Sequence, residues 1–157
     1  PLYSSAASDV YKRQSFGNPR RTVNGLDFNR LLLTVAVLTR RVGLRLAEQD
    51  IFANVVGGLQ IEEPAVDLAV ALALTSSVRD QPVPADLAAV GEVGLSGEVR
   101  SVGQLEARLN EAARLGFSKV IIPRRLGRAA LRILDGLQTM QVRSVEEAID
   151  VALGPKH

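Results

Sequence analysis

The stretch PAVDLAVALALTSS, residues 64–77, constrains the fold of this chain more than any other. It opens on Pro64, which suits the first position of a helix because no backbone N–H is needed there. Alanine, valine and leucine then fill nearly every position, so a helix here is apolar on almost all sides. A helix of that kind is buried, and the rest of a small domain must wrap around it. Glu62 and Glu63 precede it at the end that favours negative charge. No run of 18 or more uncharged apolar residues exists anywhere, so a membrane span is not expected.

The flanking sequence supplies the wrapping. Residues 15–25, SFGNPRRTVNG, read as loop, with Arg20 and Arg21 as an exposed basic pair. Asp27 is placed to cap a helix running to about Arg41, stopped by Gly43. Phe28, Leu31, Leu32, Val35, Leu38 and Val42 form its inner face, and Arg30, Arg40 and Arg41 lie outside. Asp50 to Val56 reads as a strand closed by Gly57-Gly58. Beyond the buried helix, Leu87 to Val93 reads as a strand that turns through Gly94-Leu95-Ser96-Gly97 into Glu98-Val99-Arg100, a hairpin. Gln104 to Leu115 is an amphipathic helix with Leu105, Leu109, Ala112 and Ala113 inward, ended by Gly116. Val120-Ile121-Ile122 has the fully apolar character of a strand inside a parallel sheet, and the chain leaves it through Pro123-Arg124-Arg125. A small helix over 128–134, a strand at 140–142 and a final helix to Leu153 complete the chain. Ser144 and Glu147 form a capping box for that last helix. The pattern is α/β (α+β), with helices packed on a mixed sheet.

Residues 1–14, PLYSSAASDVYKRQ, stand apart: they hold both tyrosines, show no clear period and resemble translated adapter sequence. They are treated as a non-native segment and left out of the fold, which makes 15–157 one domain. The chain has no cysteine, and its single histidine is the last residue, His157. Thiolate zinc sites, disulfides, histidine triads and histidine metal clusters are therefore excluded. The absence of cysteine and of a signal-like start fits the cytoplasm. Nineteen basic residues face seventeen acidic ones, so net charge gives no strong nucleic-acid signal. Sixteen of the nineteen are arginines, which suit bidentate phosphate contacts, although a GC-rich genome gives the same bias.

Three long motifs occur in fixed order: VGGLQIEEPAVDLAVALAL, GEVGLSGEVRSVGQLEARLNEAARLGF and KVIIPRR. Together they resemble the C-terminal Lon-protease-like domain of the bacterial RadA (Sms) DNA repair family. VNGLDFNRLLLTVAVL is also similar, so the likeness covers about residues 15–153. The resemblance implies the Lon-protease-like fold, of the ribosomal protein S5 domain 2 type. It implies a longer parent protein with a zinc finger and a RecA-like ATPase ahead of this domain, and a missing first strand. ATP, Mg and Zn would belong to those absent parts and no cofactor to this chain, which has no GxxxxGK[ST] pattern.

In true Lon proteases the fold carries a Ser–Lys dyad, in which serine attacks the peptide carbonyl and a neutral lysine takes its proton. Aligned on Pro64, the serine position falls on Ala65. Aligned on Gly103 and Leu105, the lysine position falls on Arg108. Alanine has no oxygen, and arginine stays protonated, so neither can do the chemistry. Ser76, Ser77 and Ser101 read as turn and helix-end serines, and Lys119, the only interior lysine, has no serine assigned to it. Glu62, Glu63 and Asp67 read as acids at a helix N-terminus with Arg108 as a local partner, rather than as a metal set. The resemblance thus implies a non-catalytic scaffold and DNA-binding module of a branch-migration ATPase. Its expected partners are further copies of itself in a ring-forming homo-oligomer, a hexamer in the parent protein, single-stranded or branched DNA, and a RecA-type recombinase. The arginines expected to meet phosphate are Arg20, Arg21, Arg40, Arg41, Arg124 and Arg125. The alternative is a Ser–Lys peptidase of the Lon type, against which Ala65 and Arg108 speak.

Overall fold

The structure, a computed structural model, describes residues 8–14 and 17–155. Its strands are β1 (Ser8–Gln14), β2 (Arg21–Asn24), β3 (Gln49–Val55), β4 (Leu87–Ala89), β5 (Glu92–Val93), β6 (Val99–Arg100), β7 (Lys119–Pro123) and β8 (Gln138–Val142). Its α-helices are α1 (Phe28–Val37), α2 (Asp67–Arg79), α3 (Leu105–Arg114) and α4 (Val145–Leu153). A π-helical turn (Leu38–Val42) prolongs α1, and a 3-10 turn (Pro64–Val66) leads into α2.

Helix α2 is buried without a break from Asp67 to Thr75. It packs against β1, α1, α4, β4 and β5, so it is the hub that the apolar stretch requires. One sheet has the order β1-β3-β2, with β1 antiparallel and β2 parallel to β3. A second has the order β4-β7-β8 and is wholly parallel. The central strand of that sheet is β7, as its unbroken Val120-Ile121-Ile122 run predicts; all three are buried. Hairpin β5-β6 pairs Glu92 with Arg100 and Val93 with Val99 around the Gly94–Gly97 turn. Side chains from α1, β3, α2, β4 and α4 share one core cluster. A second cluster, with Ala65, Val90, Leu109, Val120 and Ile122, lies where α3 meets the parallel sheet.

Several ends are set by local chemistry. The Asp27 side chain accepts from the Arg30 N–H at 2.9 Å and caps α1. Gly43 (φ 74°) closes the π-helical turn. Ser144 accepts from the Glu147 N–H at 3.2 Å, while the returning Glu147 carboxylate takes the Arg143 N–H at 2.8 Å. That return is displaced by one residue from an ideal capping box.

The structure departs from the sequence-based expectations at five places. Residues 21–24, expected in a loop, form β2, because Val23 packs on the core while Thr22 and Asn24 face out. Phe28 and Leu32, expected on the inner face of the first helix, are exposed. Leu31, Val35 and Leu38 are buried as expected, Val42 packs against the core, and Thr34 and Val37 are buried where Phe28 and Leu32 are not, so the buried stripe is shifted at one edge only. The strand expected over 87–93 is two strands: Leu87–Ala89 joins the parallel sheet and Glu92–Val93 joins the hairpin. The helix expected over 128–134 does not form; those residues run as an irregular connection between β7 and β8. Finally, residues 8–14, set aside as non-native, pair along β3 from Ser8 opposite Val55 to Gln14 opposite Gln49. Strand pairing uses backbone groups and leaves the likeness to adapter sequence, which lies in residue order, untouched.

Gly25, after β2, is closely hemmed in by backbone. It has φ +83°, and a Cβ there would stand 2.4 Å from the Leu59 carbonyl oxygen and 2.8 Å from the Val55 Cβ. Gly25→Ala should therefore lose at least about 2 kcal/mol from the left-handed backbone and the clash together. Urea unfolding checks this; a loss below about 0.5 kcal/mol, the level of an ordinary surface change, contradicts it.

Candidate functional site

The N-terminus of α2 is the place to build from. Pro64 and the 3-10 turn set Ala65 against the parallel sheet, with its side chain 5% exposed. The Ala65 carbonyl accepts from the Gly91 N–H at 3.0 Å, and the Gly91 carbonyl accepts from the Leu68 N–H at 3.1 Å. These two bonds clamp the start of α2 to the chain between β4 and β5. The Ala65 methyl belongs to the second core cluster and fills space there.

Arg108, on α3, reaches the same region. Its guanidinium forms an ion pair with Glu63, and its Nε–H donates to the Gly103 carbonyl at 2.8 Å. The side chain is only 14% exposed. Arg108 thus ties α3 and its preceding turn to the residue just ahead of Pro64; of Glu62, Glu63 and Asp67, its ion pair is with Glu63.

Asp67 takes a different partner. It is 3% exposed and accepts from Arg30 Nε at 3.0 Å, from Arg30 Nη2, and from the Val93 N–H at 3.1 Å. Arg30, expected to point outward, is therefore half-buried in a charge-assisted pair linking α1, α2 and β5. Glu92 lies 3.6 Å from the same guanidinium. The hydrogen bond to Asp67 holds the Arg30 guanidinium above its ordinary pKa. Burial pushes the Asp67 carboxyl up, and Arg30 with the Val93 N–H pull it only part of the way back. Between the ordinary and the raised value the folded chain keeps a proton that the unfolded chain has released. This residue's own contribution to stability therefore falls as pH rises through that window.

The acids at this helix end are thus divided: Glu63 to Arg108, Asp67 to Arg30, and Glu62 to solvent. Among the described residues, no three histidine, cysteine, aspartate or glutamate side chains are grouped to hold a metal ion. Of the three serines read as structural, Ser76 closes the end of α2, its Oγ donating to the Gln81 carbonyl at 2.5 Å. Lys119 stands 3.6 Å from Asp86, which also accepts from Ser118 Oγ at 2.5 Å.

The six arginines expected to meet phosphate do not form one group. Arg21 is half-buried and donates to the backbone carbonyls of Arg20, Leu46 and Gln49, so it fastens the chain ahead of β3 rather than facing a ligand. This corrects the expectation that Arg21 is exposed, whereas Arg20 is exposed as expected. Arg40 and Arg41 are exposed on the π-helical turn, and Arg41 lies against Gly97 of the hairpin. The hairpin in turn meets β8, since the Val99 N–H donates to the Arg143 carbonyl at 2.8 Å. Pro123 pairs with Val142, which places Arg124 and Arg143 side by side at the ends of β7 and β8. Arg41, Arg124 and Arg143 are all exposed; Arg41 shares the hairpin turn at Gly97 with Glu146, and Arg124 and Arg143 follow the paired ends of β7 and β8. Arg125 is half-buried beside them. Arg143 was not singled out from sequence; only the strand register reveals its place.

Residues 45–155 match the family described as the Lon protease (S16) C-terminal proteolytic domain. The chain is also similar to DNA repair protein RadA of Halalkalibacterium halodurans, 46% identical over 141 residues that cover 89% of this chain and 30% of the relative. It is 48% identical to RadA of Bacillus subtilis over 147 residues, 89% of this chain and 30% of the relative. RadA of Synechocystis is 48% identical over 139 residues, 88% of this chain and 27% of the relative. The chain spans somewhat under a third of the length of these curated relatives.

Arg108→Ala should cost about 1–3 kcal/mol, since it removes a charge-assisted pair and leaves the Gly103 carbonyl without this donor. Arg108→Lys should recover only part, because lysine cannot serve both acceptors with one planar fork. Thermal or urea unfolding of the three chains checks this; equal stabilities would contradict a cohesive role for Arg108.

Proposed function

On the premise that this chain belongs to the Lon protease (S16) C-terminal proteolytic domain family, as a non-catalytic domain homologous to the C-terminal part of bacterial DNA repair protein RadA, we propose that it is the assembly and DNA-binding module of a RadA-type repair ATPase. The observation that carries the reading is the pair of exposed arginines at adjoining strand ends, Arg124 and Arg143, with exposed Arg41 against the hairpin turn. Arginines so placed suit the phosphates of single-stranded or branched DNA, with Arg40 and Arg125 flanking them. Arg20 and Arg21, at the start of β2, are no longer part of that surface in this reading.

The module self-associates into a ring, a hexamer in the parent protein, and works in the cytoplasm beside a RecA-type recombinase. No described helix is long and apolar enough to cross a membrane. Zinc, magnesium and ATP have no seat of the usual kind in this chain, which has neither cysteine nor a phosphate-binding loop. Ala65 and Arg108 stand where the Lon dyad would fall, and the peptidase alternative has no nucleophile and no base at those positions.

Fluorescence anisotropy of labelled single-stranded DNA across a salt series tests the reading. Affinity should fall with salt, and Arg124→Ala with Arg143→Ala should lower the log–log slope by about 1.4, two contacts at about 0.7 each. Salt-insensitive binding, or an unchanged slope in the double variant, would count against these arginines. In parallel, casein and fluorogenic peptides should remain uncut. Turnover that disappears on changing Ser76, Ser77 or Ser101 would favour the peptidase.

A further inference from the structure

Between β7 and β8 the chain runs through 124–137, RRLGRAALRILDGL, with no regular structure. Parallel neighbours need a crossover, and a helix is the usual one. Here an irregular strap does the work, and it is held at both ends. At its start, the Arg124 N–H donates to the Val142 carbonyl at 2.8 Å and the Arg125 N–H to Gln141 Oε1 at 3.0 Å. On its return, the Arg132 N–H donates to Glu106 Oε1 at 3.1 Å and the Leu134 N–H to Asn110 Oδ1 at 2.8 Å. Asn110 Nδ2 closes the clasp on the Arg132 carbonyl at 3.0 Å, and Leu131, Ile133 and Leu137 pack on the second core cluster.

The span left over, 126–130, is exposed throughout, and at its tip stands Leu126, 100% exposed. Single exposed leucines are ordinary on protein surfaces. This one differs in its setting. Arg124 and Arg125 precede it, Arg128 follows it, and no acidic residue occurs from 124 to 134. Gly127, at φ +112°, turns the chain directly after it. The result is an apolar tip on an anchored basic loop, beside Arg143 at the end of the neighbouring strand.

We infer that Leu126 is an apolar wedge that enters the base stack of DNA at a branch or an unpaired junction, while Arg124, Arg125 and Arg128 hold the adjoining phosphates. Proteins that unstack bases pair an apolar side chain with flanking cations in this manner. A branch point suits it, because its terminal base step is already partly unstacked and less energy is needed to open it. This inference rests on the DNA-binding reading above and adds to it the part of the DNA that is met.

The test uses the 157-residue chain and a forked DNA carrying 2-aminopurine at the junction, whose fluorescence rises when its neighbours unstack. A fluorescein on a distant end reports binding by anisotropy. At protein concentrations that saturate the anisotropy, the chain should raise the 2-aminopurine signal. Leu126→Ser should lose the rise, Leu126→Met should keep it, and Leu115→Ala, an exposed leucine elsewhere, should keep it. A rise that persists in Leu126→Ser overturns the wedge. Binding by anisotropy with no rise in the parent chain overturns the wedge and leaves the DNA reading standing. No binding at low salt overturns both.

Discussion

The arrangement depends on one buried carboxylate. Asp67 sits at the first turn of a helix whose residues 68–74 are all apolar, and it is almost wholly out of water. A lone charge there would cost several kcal/mol. Two Arg30 nitrogens and the Val93 amide supply its acceptor sites with donors, so one side chain joins the first helix, the central helix and the hairpin. The apolar faces of α2 hold it in the core without fixing its register, because alanine, valine and leucine repeat on all sides. The polar knot fixes the register. Sliding α2 by one residue would bury the carboxylate without partners.

The same helix end is built for cohesion. The clamp between Ala65, Gly91 and Leu68 positions a small side chain against the sheet, and here that side chain is a methyl packed among Val90, Leu109 and Ile122. Arg108 crosses to Glu63 and to the Gly103 carbonyl. Both contacts bind elements together and neither leaves a reactive atom poised.

Much of this was legible in the residues, for reasons that can be named. An all-round apolar helix, a three-residue β-branched run and a glycine-bounded turn each allow few structures, and α2, β7 and the hairpin formed where those signals lie. The first helix was legible in place and in most of its orientation: Leu31, Val35 and Leu38 are buried as their spacing predicts, and only Phe28 and Leu32 turn outward. Leu31, Leu32 and Leu33 offer three adjacent leucines, and periodicity alone did not decide which would face inward. Arg30 was misjudged because a long side chain on a nominally outer face can still reach a buried acid from another element. The strap over 124–137 has helix-forming residues, yet its backbone is taken up by Glu106, Asn110 and Gln141, partners invisible until the fold is known. The exposed arginines were half legible: Arg41 and Arg124 stood out as basic pairs, whereas Arg143 gains its meaning only from the register of β7 with β8.

If Asp67 and Arg30 are the knot that sets the helix, their energies must be coupled. A double-mutant cycle with Asp67→Asn, Arg30→Met and the pair together, followed by urea unfolding, measures that coupling directly. Each single change should be costly, about 3 kcal/mol, because it strands the other charge or its donors in the interior. The double variant should lose at least about 1.5 kcal/mol less than the sum of the two single losses. Losses that simply add, to within about 0.5 kcal/mol, would contradict the account and place the anchor of α2 elsewhere.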